Sequence, residues 1–253
     1  MAKPVARLFV EADLAAGAVL GLAPAAAHYL AHVLRAKSGE AVLVFNGRDG
    51  EWRARIEGFG RRARLAVGDP LRRQRPEPDL WLAFAPIKRA PIDRLVQMAT
   101  ELGAAKLIPV FTRFTAVARV NVARLRANSI EAAEQCGRLT VPAVAEPIGL
   151  AALVHDWPSA RPLLVLDETG QGASIGDVLA GPTLAGATAG AILAGPEGGF
   201  AAAELDALHV LPFVSRVRLG PRILRADTAA LAALACWQAW IGDWRDPPRR
   251  AAR

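Results

Sequence analysis

Two short stretches hold the residue types that can do chemistry together, Leu193-Ala-Gly-Pro-Glu-Gly-Gly-Phe200 and Leu219-Gly-Pro-Arg-Ile-Leu-Arg-Ala-Asp-Thr-Ala229. In the first, Gly195, Gly198 and Gly199 let the backbone bend sharply and bring its amides to a ligand with no side chain between. Glu197 and Asp227 can accept a proton or orient a group that does, and Arg222 and Arg225 can stabilise a developing anion. Each stretch follows a short apolar run, Ala189 to Ala194 and Phe213 to Val217, and precedes residues with helical spacing. Both are therefore strand-to-helix turns, and open α/β sheets bind ligands at that carboxyl edge.

Other chemistries find less support. No Gly-x-x-x-x-Gly-Lys-Ser/Thr loop or Gly-x-Ser-x-Gly elbow is present, which argues against a P-loop hydrolase and an acyl-transfer site. Gly170-Gln-Gly172 misses the dinucleotide fingerprint in its spacing to Gly176. His28 and His32 stand four apart on a helix but lack a third ligand, so no metal is expected.

The elements that must position the two turns alternate along the second half of the chain. Strands are expected at Leu80 to Ala85, Lys106 to Phe111, Ala143 to Ile148, Leu163 to Leu166, Ala189 to Ala194 and Phe213 to Val217. Between them, helical spacing marks Ile92 to Leu102, Val122 to Cys136, Leu150 to Trp157 and Thr228 to Trp244. This repeated alternation predicts a mostly parallel sheet. The first part of the chain reads differently: a strand at Arg7 to Val10, a helix at Ala25 to Arg35, and strands at Ala41 to Phe45, Glu51 to Phe59 and Ala63 to Val67, with Asn46-Gly47 and Asp49-Gly50 as turns. The domains expected are a β domain over 1–69, a Pro-rich linker over 70–79, an α/β domain over 80–246 and a basic tail over 247–253.

Composition sets the outer limits. The 253 residues are 53% hydrophobic, enough for a sizeable core, and 31 basic against 24 acidic side chains leave a formal charge of +7. That excess is arginine-rich, which suits phosphate and nucleic-acid surfaces. Arg48, Arg53, Arg55, Arg61, Arg62 and Arg64 can form an RNA-facing side of the β domain. Cys136 and Cys236 are too far apart for a disulfide framework, in keeping with a reducing cytoplasm. The uncharged run Leu14 to Leu34 is alanine-rich and broken by Gly17, Gly21 and Pro24, and so is not expected to span a membrane. Glu11 and Asp13 interrupt the basic start of a signal peptide.

The two loops, together with Arg94-Leu-Val-Gln-Met-Ala-Thr-Glu-Leu-Gly103 and Ile130-Glu-Ala-Ala-Glu-Gln-Cys-Gly-Arg138 followed by Val141-Pro142, resemble the RsmE family of ribosomal RNA uridine methyltransferases in the SPOUT class. The resemblance implies an N-terminal PUA-like β-barrel that holds RNA. It also implies a C-terminal SPOUT domain with a trefoil knot, dimerising through that domain. S-adenosylmethionine would lie bent between Leu166 and Glu168, the loop from Leu193 through Gly195, Pro196, Glu197, Gly198 and Gly199, and the loop of Leu219, Gly220, Arg222, Ile223 and Leu224. Arg7, Arg35, Arg53, Arg55 and Arg222 would meet small-subunit (16S) ribosomal RNA. Methylation of uracil N3 would draw on Arg225 for the anion, with Glu197 or Asp227 as base or its orienter; an Arg225 ion pair with either carboxylate is the structural alternative.

Two departures stand out: Asp227-Thr-Ala229 where the family usually has Glu-Thr-Ala, and Ala201 where it commonly has serine, which halves a capping box with Glu204. A SPOUT enzyme acting on transfer RNA or another base atom, and a catalytically silent RNA-binding protein, remain as rival readings.

Overall fold

The computed structural model describes residues 3–60, 63–87 and 89–247, and divides into two compact units. The expected RNA-facing Arg61 and Arg62, and the tail beyond residue 247, lie outside the described residues.

The first unit comprises the chain up to Pro76 together with Ala133–Val141. Its strands are β1 (Arg7–Phe9), β2 (Val19–Gly21), β3 (Ala41–Phe45), β4 (Glu51–Glu57) and β5 (Arg64–Arg72), in the order β1-β3-β4-β5-β2. β1 runs parallel to β3 and the other pairs are antiparallel, giving a curled sheet. Alternation sends Val42, Val44, Ala54, Ile56, Leu65 and Val67 inward onto Leu8 and Leu30. The expected turn forms at Asn46, whose Oδ1 accepts the amides of Arg48 and Asp49. Gly50 cannot be replaced there, because a Cβ would lie 2.1 Å from the Arg72 carbonyl oxygen and φ is +82°.

Three local expectations need correction. β5 continues through Pro70 to Arg72, into the stretch read as a linker, with irregular register opposite Trp52 where proline cannot donate to the ladder. The single helix expected from Ala25 to Arg35 is a short α1 (Pro24–His28) passing into a π turn over Tyr29–Val33. Leu34 donates back to Tyr29, and Arg35 turns left-handed at φ 53°. Strand β2 was not foreseen, being three residues with only Leu20 buried.

The second unit, Glu77–Ala132 with Pro142–Pro247, holds β6 (Asp79–Phe84), α2 (Arg89–Glu101), β7 (Lys106–Phe111), α3 (Val122–Cys136, its last turn in the first unit), β8 (Ala143–Val144), β9 (Ile148–Gly149) and α4 (Leu150–His155). It continues with β10 (Leu163–Leu166), β11 (Ala173–Ser174), α5 (Ile175–Ala180), β12 (Ala189–Ala194), α6 (Ala202–His209), β13 (Val214–Arg218) and α7 (Ala226–Trp240). The strand expected from Ala143 to Ile148 is thus two separate bridges, and β11 and α5 were missed because six residues or fewer carry little periodicity.

Every strand pair in this sheet is parallel, in the order β11-β13-β10-β12-β6-β7-β8 with β9 beside β7. Successive residues of β10 and β12 point to opposite faces and both faces are buried. Leu164, Leu166, Ile192 and Ala194 pack with α2, α5 and α7, whereas Leu163, Val165, Ala191 and Leu193 pack with α4 and α6. The stripe expected on α7 is core at Ala230, Leu234 and Trp237. Gly190 on β12 makes room for it, since a Cβ there would lie 2.0 Å from the Trp237 ring. Trp240 and Trp244 stay about half exposed, at 49% and 53%.

Candidate active site

β13, β10 and β12 are neighbours in the sheet and point the same way, so the loops leaving their carboxyl ends must converge. Between these loops lies a cavity of about 460 Å³, a size suited to a small-molecule ligand.

The loop after β10 is pinned by Asp167, which is buried. Its carboxylate accepts from the Thr169 amide (2.9 Å) and hydroxyl (2.7 Å) and from Arg216 Nη2 (2.8 Å) on β13. Burial alone would raise this carboxyl's pKa. The Thr169 and Arg216 contacts outweigh that penalty and hold it below its ordinary value. Next in sequence, Glu168 accepts the Phe200 amide at 3.0 Å and so ties this loop to the one after β12.

The glycine-rich loop is shaped as much by what glycine omits as by its turn. Gly199 donates to the Pro196 carbonyl and sits at φ +71°, and a Cβ there would lie 1.9 Å from Glu168 Oε1. Alanine is thus excluded twice, by backbone conformation and by contact. Gly195 lies against the Phe200 ring, where a Cβ would come within 2.8 Å. Glu204 of α6 accepts the Ala201 amide at 2.9 Å with one carboxylate oxygen and the Arg113 amide with the other. The half of the capping box that Ala201 lacks is therefore the only half missing.

The third loop, from Leu219 to Arg225, leads into α7 with Arg225 as its N-cap. Arg222, Ile223 and Arg225 are exposed along the cavity, Ile223 to 91%. Among the described residues neither Arg222 nor Arg225 is ion-paired, so the structural alternative for Arg225 does not occur in this conformation.

The cavity brings together Leu166, Glu168, Gly195, Pro196, Glu197, Gly198, Gly199, Leu219, Gly220, Arg222, Ile223, Leu224 and Arg225. Two expected residues are elsewhere. Leu193 is fully buried on the α4 and α6 side of the sheet, where strand alternation puts it. Asp227 lies in the first turn of α7, its Oδ1 accepting the Thr228 amide, and does not line the cavity. Its charge favours the helix N-terminus instead. Asp167, Ala194, Val217, Arg218, Ala226 and Ala229 line the cavity without having been expected there, and Gly170, weighed only against a dinucleotide fingerprint, lines it too. Only Asp167 left a trace in the sequence, as Asp-x-Thr directly after a buried strand, the pattern of a side chain folding back on its own turn.

The arginines expected to meet RNA also separate. Arg7 is turned inward: its Nε donates to Glu51 (2.6 Å), its Nη atoms to the carbonyls of Ala133 and Arg138, and its guanidinium lies 3.7 Å from the centre of the Phe45 ring. It is a structural residue here, contrary to the expectation of RNA contact. Arg35 and Arg55 are exposed, and Arg53 is half-buried on the same side of β4 as Arg55.

His28 and His32 have ring centres 4.6 Å apart, and no group of three metal-ligating side chains occurs among the described residues. No helix among the described residues is long and apolar enough to cross a membrane.

The family model described as an RNA methyltransferase domain matches residues 74–238, and one described as an RNA methyltransferase PUA domain matches residues 22–63. The ribosomal RNA small subunit methyltransferase E of Rickettsia conorii is 33% identical over 231 residues, 90% of this chain and 93% of that protein. The enzyme of the same name from Neisseria gonorrhoeae, solved bound to S-adenosyl methionine, superposes with a TM-score of 0.84 at 28% identity, over 94% of this chain and 99% of that one. A methyltransferase from Legionella pneumophila, solved with the cofactor SAM, gives 0.82 at 27% identity over 96% and 100%. With the convergent loops, the matched domain and near full-length relatives in agreement, the chain belongs to the ribosomal RNA small subunit methyltransferase E family of RNA methyltransferases.

Proposed function

We propose that this protein transfers a methyl group from S-adenosylmethionine to N3 of a uridine in small-subunit (16S) ribosomal RNA. The observation that carries the reading is the cavity where three adjacent strand ends converge, walled by the backbone of a glycine-rich loop and edged by the exposed Arg222 and Arg225.

The residues present fit the cofactor. Leu166, Val217 and Ala229 offer apolar wall, while Gly195, Gly198 and Gly199 contribute backbone with no side chain of its own. When bound, S-adenosylmethionine supplies an electrophilic methyl sulfonium. The nitrogen that attacks must first become nucleophilic, because its lone pair is delocalised into the flanking carbonyls while it keeps its proton. Arg225, which lines the cavity, would stabilise the negative charge that spreads onto those carbonyl oxygens as the N3 proton leaves. Glu197, exposed on the cavity wall, would accept that proton, directly or through water; Asp167 and Glu168, which also line the cavity, are engaged with Arg216 and the Phe200 amide. The proton goes to the base, the methyl to N3, and the sulfur retains the electron pair of the broken bond.

The proposal extends to architecture. It includes a trefoil knot in the second unit, with which the strand order β13-β10-β12 and the packing of α7 on β12 and α2 are compatible. The curled sheet of the first unit serves as a PUA-like RNA-binding barrel. A homodimer would bury the exposed Trp240 and Trp244 rings.

Nucleoside mass spectrometry of ribosomal RNA from cells with and without the protein tests the reaction. N3-methyluridine should vanish from the small-subunit RNA when the protein is removed and return when it is restored. An unchanged nucleoside profile would overturn the reading.

A further inference from the structure

Phe114 is one of the few large apolar side chains left in the open, with 51% of its surface exposed. It follows β7, in a turn that is tightly held. The Thr115 hydroxyl accepts the Thr112 amide at 2.9 Å and lies 3.0 Å from the Thr112 hydroxyl, and the Thr115 amide returns to the Thr112 carbonyl. Arg113 within the turn donates its amide to Glu204, the residue that also receives the Ala201 amide at the end of the glycine-rich loop. The turn and that loop thus share one anchor.

The ring lies beside the cavity. A Cβ on Gly198, which lines the cavity, would come within 3.3 Å of Phe114 Cβ and 3.9 Å of its Cγ, so the base of the aromatic side chain packs beside the cavity wall. Arg113 is exposed next to it, and Arg222 and Arg225 are exposed on the facing loop of the same cavity. A rigidly presented aromatic face among exposed cations matches what an unstacked RNA base with its phosphates requires. Bases stack on aromatic rings, and arginines neutralise the backbone. Chemistry on a base also demands that it leave its own stack, and a preformed ring offers a replacement surface at little cost in ordering.

We propose that Phe114 is a stacking surface for an unpaired base of the RNA substrate at the mouth of the cavity, with Arg113 as its phosphate contact. This rests on the function proposed above, and the test separates the two. The full-length protein is assayed for binding and for methylation of small-subunit ribosomal RNA from cells lacking it, alongside calorimetry with S-adenosylmethionine alone. Phe114→Ala should weaken RNA affinity and raise the RNA KM by about 5- to 150-fold, the range that base stacking commands, with cofactor affinity and Tm unchanged. Phe114→Trp should restore binding, and Phe114→Leu, apolar but without a π face, should not.

Equal performance by Phe114→Leu would overturn the proposal. So would a loss of cofactor affinity, which would make Phe114 a prop for Gly198, or dissociation into monomers, which would make it an interface residue. If the wild-type protein binds RNA but transfers no methyl to it, the parent function falls, while the RNA affinities of the variants still decide the role of Phe114.

Discussion

At the scale of single residues, the proposed reaction calls on an exposed guanidinium and on the absence of a side chain. Arg225 has no ion-pair partner among the described residues, so whatever it contributes becomes available when charge develops on the base. Arg225→Ala should slow single-turnover methyl transfer by about 100- to 1,000-fold, the usual cost of losing one such stabiliser, with cofactor affinity little changed. Arg225→Lys should recover part of the rate, because it keeps the charge but not the planar fork. A near-normal rate in folded Arg225→Ala would remove this residue from the chemistry. For Gly199 the expected fault lies in cofactor binding: alanine at φ +71° collides with Glu168, which must then release the Phe200 amide. Gly199→Ala should therefore abolish measurable S-adenosylmethionine binding by calorimetry and lower stability by about 1–3 kcal/mol. Unaltered cofactor affinity would show that the loop backbone does not form the cradle.

At the scale of elements, β4 presents Arg55 and, more shielded, Arg53 on the side of the strand opposite Ala54 and Ile56. If this side follows an RNA backbone, each phosphate that an arginine neutralises adds to the salt dependence of binding. Replacing both arginines with alanine should weaken RNA binding and flatten the logarithmic salt slope by about 0.7 for each phosphate of single-stranded RNA left without its cation. Filter binding across a salt series measures this; an identical slope and affinity would mean that the arginines form a solvated face. That this stretch forms a strand was legible in the sequence. The extension of β5 to Arg72 was not, because Gly68, Asp69 and Pro70 read as loop chemistry and the pairing with β4 overrides them.

At the scale of the whole molecule, each unit contains a buried carboxylate that has to stay ionised. In the first, Glu51 is 1% exposed and accepts from Arg72 and Arg7; Arg72 also donates to the Gly137 carbonyl. Burial would raise the Glu51 pKa, but the bonds from Arg72 and Arg7 outweigh it and lower it. In the second unit Asp167 is lowered in the same way. A carboxylate whose pKa is depressed on folding contributes stability that is fully present above its unfolded value of about 4 and is lost as the pH falls through its folded value. Thermal denaturation should therefore show Tm level near neutrality and falling below about pH 4. Glu51→Gln should cost about 3–5 kcal/mol at pH 7, because Arg7 and Arg72 are left as buried charges without their partner. It should also flatten the acid limb of the curve. A wild-type Tm unchanged from pH 7 to 3 would refute the linkage.

The longer strands and helices, the two glycine and arginine loops and the family are legible in the residues alone, since these rest on local periodicity and on contiguous residue types. Tertiary structure decided which loops meet: β10, β12 and β13 are far apart in the chain, and only their parallel pairing in the order β13-β10-β12 brings Asp167, Gly199 and Arg225 to one cavity. It also turned Arg7 inward, left Asp227 out of the cavity lining, and set Phe114 beside Gly198. Local patterning reports which face of an element is apolar. It carries no information about which polar groups find partners from distant segments, and in this protein those partnerships separate structural charges from available ones.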